Sequence, residues 1–143
     1  MTQDQSEEAW VSEQRQTVRA YLERELVKYR EIGEWPAWHV HPVLAIWGVE
    51  SAVTPGRVGW WVISGDAPTD YVSFADANHP RKAMLHFIKQ WDEVSSSMLE
   101  GKKHPNITIG SPDQWPVLGD LLERRVELMR KFVNDDSTWE ELD

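Results

Sequence analysis

Two apolar runs, "VLAIWGVE" (Val43–Glu50) and "VGWWVIS" (Val58–Ser64), constrain this chain more than any other feature in it. Each is short and rich in β-branched and aromatic residues, so each is expected to be a strand. Alternation puts Val43, Ala45, Trp47 and Val49 on one face of the first run, with Leu44 and Ile46 on the other. A strand that is apolar on both faces has to be covered on both sides. The "TPG" between the runs is a turn, which makes them an antiparallel hairpin. Pairing Glu50 with Arg57 as a cross-strand ion pair sets Gly48 opposite Gly59 and Trp47 opposite Trp60, leaving a shallow trough between Ile46 and Trp61.

The rest of the chain supplies the cover. Val11, Val18, Leu22, Leu26, Tyr29 and Ile32 recur at helical spacing, predicting one long amphipathic helix over residues 6–32, capped by Ser6 and closed by Gly33. "EWPAWHVHPV" reads as an extended connector, because Pro36 and Pro42 push their predecessors out of the helical region. Tyr71 to Phe74 is a candidate third strand. "ANHPRKAM" opens a second helix with Pro80 in its first turn, burying Met84, Phe87, Ile88, Trp91, Val94 and Met98 and ending at Gly101. "PNITIG" is read as a short edge strand. A last helix spans about 116–133 and is expected to bury Leu118, Leu121, Leu122, Val126, Met129 and Phe132. The fold class is therefore α+β: a small antiparallel sheet packed with three main helices in one domain of 143 residues. A second copy is the alternative cover for one face of the sheet, so a homodimer is also in view.

Composition narrows the chemistry. The chain has no cysteine, which excludes disulfides, thiolate metal sites and cysteine nucleophiles. "MTQDQSEE" lacks the pattern of a secretory leader, and no run approaches the length of a membrane span, so a cytoplasmic protein with no membrane partner is expected. The net charge of −9 is uneven: residues 1–8 carry three acids and residues 135–143 five, with no base in either. Both stretches read as acidic, mobile ends. No basic stripe with interleaved aromatics suggests nucleic acid. Between Glu31 and His79 lie six acids, one arginine (Arg57) and five of the nine tryptophans.

That acidic, aromatic middle holds the candidate binding residues. In "SGDAPTDY", Asp66 and Asp70 stand four apart across a proline turn, with Thr69 and Tyr71 beside them. Two carboxylates can divide acid and base roles, or hold a cation or sugar beside aromatic faces. Trp61 precedes this turn, and Trp35 and Trp38 sit beside prolines as the expected exposed pair, while Trp47, Trp60 and Trp91 are expected in the core. His79 and Arg81 flank Pro80 at a helix start, where an anion is favoured. His39 and His41 alternate as two metal ligands would, but further ligands, with His79 and Asp66 as candidates, are not fixed by spacing, so no metal and no cofactor are expected. Neither a nucleophile elbow nor a P-loop nor a dinucleotide fingerprint occurs.

"WHVHPVLAIWGVES", "GWWVISGDAPTDYV" and "HPRKAM" together resemble a family of small bacterial proteins catalogued as a domain of unknown function. The matching positions include Trp60, Trp61, Gly65, Asp66, Pro68, Thr69, Asp70, Tyr71, Pro80 and Arg81. The resemblance implies a bacterial, cytoplasmic, single-domain protein and carries no activity with it. The function expected from the residues is a non-catalytic binding module for a protein partner, such as an immunity- or antitoxin-like inhibitor of a basic effector. The alternative is a hydrolase or small-ligand binder built on Asp66 and Asp70.

Overall fold

A computed structural model describes residues 6–105 and 110–142. It shows three α-helices and a five-stranded antiparallel sheet, an α+β fold. The chain divides into two compact units, residues 1–83 and 84–143. The expected edge strand at "PNITIG" falls largely on residues 106–109, outside the described residues.

The first unit begins with α1 (Glu7–Arg24), whose N-cap Ser6 accepts the Ala9 amide on its side chain. The helix stops well short of Ile32. Leu26 takes a left-handed conformation (φ 57°), and Tyr29–Ile32 continues as strand β1. Helical spacing misled here because Tyr29 and Ile32 both pack on the core next to α1. In a regular strand residues three apart face opposite ways, but β1 has a register shift between Tyr29 and Ile32. The remaining strands are β2 (Trp38–Val40), β3 (Leu44–Ser51), β4 (Val58–Gly65) and β5 (Asp70–Ser73). The expected connector therefore contributes a strand, and Trp38 is buried at 4% exposure, not exposed.

β3 is central. β4 pairs along one side of it, while β1 and β2 lie in tandem on the other, against its C-terminal and N-terminal halves. β5 extends the sheet beyond β4. The expected hairpin register is not formed: Gly48 stands opposite Trp61, Val49 opposite Trp60 and Glu50 opposite Val58. Gly59 is the extra residue of a bulge between those last two pairs. A side chain there would meet the Ser51 Cα at 2.9 Å, so this bulge takes a glycine. Gly48 is covered by Trp61, whose ring edge lies 3.3 Å from where a Cβ would sit, so no trough opens between facing glycines.

One face of the sheet, Ala45, Trp47, Val49 and Val62, packs with Trp10, Val11, Val18, Tyr21 and Leu22 of α1. Inside this layer the Trp47 indole donates to the Ser64 hydroxyl at 3.1 Å, satisfying two buried polar groups at once. The opposite face presents Leu44, Ile46, Trp61 and Ile63, all buried. Trp60, expected in the core, is only partly buried.

α2 (Pro80–Leu99) begins at the end of the first unit and runs into the second. Its expected apolar stripe is buried in full. α3 (Trp115–Val133) is rotated from expectation: Trp115, Gly119, Leu122, Val126, Met129 and Val133 are buried, whereas Leu121 is 43% exposed. Gly119 explains the rotation. A side chain there would reach within 2.9 Å of the Leu99 side chain, so the end of α2 packs directly on this glycine and turns its face inward. Residues 136–142 form two short 3-10 turns, the first capped by Asp135, that leave Trp139 at 0% exposure.

Candidate functional site

The "SGDAPTDY" turn leaves β4 through Gly65, whose φ of 113° admits glycine and little else. The Asp66 amide donates to the Val43 carbonyl at 2.7 Å, fixing the start of the turn, and Asp66 itself is exposed. Asp70 opens β5. Its Oδ1 accepts the Tyr71 amide at 2.8 Å and, more loosely, the Tyr21 hydroxyl of α1 at 3.4 Å. Burial, and then the Asp70 carboxylate, push the Tyr21 hydroxyl well above the ordinary tyrosine value, so it remains a donor. Tyr71 stands edge-on to both Tyr21 and Trp60. Thr69 is half-buried on the approach to β5.

The other expected binding residues lie apart from this turn. Trp61 is buried and donates its indole N–H to the Ala77 carbonyl at 2.7 Å. Trp35, 48% exposed, stands perpendicular to His39. Trp35 and Trp38 belong to the β1/β2 edge of the sheet, and Asp70 and Tyr71 to the opposite edge, so they do not form one surface. His79 accepts the Arg81 amide on Nδ1 at 3.0 Å, which makes its ring a cap for α2. His39 and His41 both pack on Trp10, and His39 Nε2 stands 3.1 Å from Glu7. Among the described residues no group of three or more histidines and carboxylates is arranged to hold a metal.

A different place has the shape of a site. At the hairpin end of the sheet a groove of about 410 Å³ opens between β1 and the β3–β4 turn. Glu31, Glu34 and Glu50 line it with Arg57, and Gly33 and Gly48 contribute backbone to the lining. Glu50 is braced: its Oε2 accepts the Gly56 amide at 2.7 Å and lies 3.9 Å from Arg30, in place of the ion pair with Arg57 expected from the sequence. The β1 wall is held by Arg15 of α1, which donates to the Ile32 carbonyl at 2.7 Å and the Gly33 carbonyl at 3.0 Å. A neighbouring groove of about 370 Å³ shares Arg57 and Val58 and is bordered by the exposed Phe74 ring.

Chemically, an open groove lined by three carboxylates and Arg57, with Arg30 beside Glu50, retains an acidic balance that suits a cationic group with an aliphatic stem. In the sequence these glutamates belong to an acidic stretch, and helical spacing assigns Glu31 to a helix. Only the unforeseen turn at Leu26 brings Glu31 and Glu34 beside Glu50. Neither Asp66 nor Asp70 lines either groove.

No helix among the described residues is long and apolar enough to cross a membrane. No curated protein and no solved structure matches this chain. A family model does match, over residues 4–139, and the chain belongs to that family, the domain of unknown function DUF4826.

Proposed function

We propose that this chain is a non-catalytic binding module that takes a cationic segment of a protein partner in the groove between β1 and the hairpin turn. The observation that carries this reading is the convergence of Glu31, Glu34 and Glu50 on one open cavity with a single arginine, Arg57, in its walls. Long cationic side chains lay their stems on apolar surface such as Val58 while the charged head meets a carboxylate. Trp35 and Phe74 are exposed aromatics available to a larger contact. A basic effector, held and inhibited in the cytoplasm in the manner of an immunity protein or antitoxin, is the partner class that fits the chain's size and acidity.

The geometry supports binding over hydrolysis at Asp66 and Asp70. Asp70 commits an oxygen to two internal donors, and the turn borders neither groove. The test uses an oligolysine peptide as probe, with an oligoglutamate peptide as control, followed by titration calorimetry. Binding of the cationic peptide that is lost in Glu31→Lys/Glu34→Lys and retained in Asp66→Ala supports the groove. Equal binding by wild type and the double variant refutes it.

A further inference from the structure

The smaller groove beside the acidic one offers the opposite chemistry. It is lined by Ser51, Thr54, Arg57, Val58 and Phe74, and no carboxylate is among them. Arg57 and Val58 line the acidic groove as well, so the two openings meet along these residues. The Arg57 backbone is bonded to Ser51 and Thr54, but among the described residues its guanidinium has neither a hydrogen bond nor an ion pair. Glu50, the acid nearest to it in the hairpin, turns its Oε2 to the Gly56 amide and Arg30 instead.

Ser51 points the same way on separate grounds. Its hydroxyl oxygen accepts the Val53 amide at 3.1 Å and the Thr54 amide at 3.0 Å. A hydroxyl has two lone pairs and one proton, so this one has only its proton left to give. Among the described residues no acceptor takes that proton, and the Thr54 hydroxyl is unbonded too. The groove thus gathers donors without an acceptor, beside the exposed Phe74 ring. Guanidinium and hydroxyl donors suit a carboxylate. A cavity of about 370 Å³ with Val58 and Phe74 in its lining has room for an aliphatic stem as well, which favours a glutamate side chain over a bare chain end.

We propose that this smaller groove is a carboxylate site, and that the partner segment carries a glutamate close to the base that meets Glu31 and Glu34. This rests on the acidic groove taking a cation and adds the other half of the recognition. The partner is then read by a pair of opposite charges held on one short segment. A purely basic segment fills the acidic groove but sets like charge against Arg57, which counts against it.

Titration calorimetry with two end-blocked peptides tests the proposal, one alternating lysine with glutamate and the other lysine with glutamine. The net charge of −9 by itself favours the lysine–glutamine peptide, which is the more basic. A carboxylate site requires the reverse, with the lysine–glutamate peptide bound about fivefold tighter. Arg57→Gln should abolish that preference, and Arg57→Lys should keep part of it. Equal binding of the two peptides, or tighter binding of the lysine–glutamine peptide, overturns the carboxylate site and leaves the acidic groove standing. A preference that survives Arg57→Gln overturns it as well. If a lysine–glutamine peptide with a free C-terminus matches the lysine–glutamate peptide, the site takes chain ends and the assignment to glutamate falls. Failure of every peptide to bind overturns both this site and the acidic groove.

Discussion

Arg15 holds more of this structure than its place in a polar stretch of sequence suggests. Its guanidinium joins α1 to two successive carbonyls, Ile32 and Gly33, where β1 ends and the groove begins. Hydrogen bonds from a charged donor are among the stronger ones, and removing this donor orphans two acceptors. Arg15→Ala should therefore cost about 2 kcal/mol, read as a lower urea midpoint with an unchanged slope. Arg15→Lys should recover less than half of that, since a single ammonium does not reproduce the fork. Ser64 presents the same argument in a drier setting. It is fully buried and accepts from the Trp47 indole, so Ser64→Ala leaves a buried N–H without a partner at a cost of about 1–3 kcal/mol. Tryptophan emission on unfolding would follow both series.

Between elements, the Tyr21–Asp70 contact ties α1 to β5 and imposes a pH dependence. The Tyr21 hydroxyl is raised above its ordinary value, first by burial and then by the Asp70 carboxylate, so the native chain holds this proton longer than the unfolded chain does. Its contribution to stability is complete below the unfolded tyrosine value of about 10 and is lost as pH rises beyond it. Urea midpoints measured from about pH 8 to pH 11 should fall less steeply in Tyr21→Phe than in wild type. α3 offers a second test: Gly119→Ala brings a methyl into the Leu99 side chain and should cost about 1–3 kcal/mol, with the loss reduced by Leu99→Ala in the same chain.

These elements also show how far the sequence could be read. The β3–β4 hairpin, the α2 stripe and the α+β class are legible because the β-branched and aromatic runs are bounded by turn residues and the α2 stripe is bounded by Pro80 and Gly101. β1 was hidden, since the apolar series of α1 continues through Leu26, Tyr29 and Ile32 at helical spacing and no glycine or proline marks the break. The hairpin register was hidden as well: a strand glycine such as Gly59 is compatible with a facing pair or with a bulge, and only its tertiary fit to Ser51 decides between them. The groove inherits both omissions. Its glutamates were visible as an acidic stretch, yet their convergence depends on the turn at Leu26 and on Arg15, neither of which a local pattern announces. Asp66 and Asp70 drew notice for the opposite reason, because aspartates in a proline turn look like chemistry when one of them is closing the fold.

For the molecule as a whole, the net charge of −9 exaggerates its electrostatic self-repulsion. The two ends account for eight acids without a base, and the remaining body carries 16 acids against 15 bases. The body is therefore near charge balance, whereas a carboxylate cluster facing a cationic ligand is a short-range attraction that salt screens over a Debye length of about 10 Å at 0.1 M. Raising sodium chloride from about 0.05 M to 0.5 M should therefore move the unfolding free energy by less than about 1 kcal/mol. Over the same range the affinity for an oligolysine peptide should drop at least tenfold, on the order of 1.4 kcal/mol. Glu31→Lys/Glu34→Lys should remove that salt dependence along with the binding. A peptide affinity indifferent to salt would place the contact on the exposed aromatics and not on the glutamates, and would redirect the search for a partner from basic proteins to apolar ones.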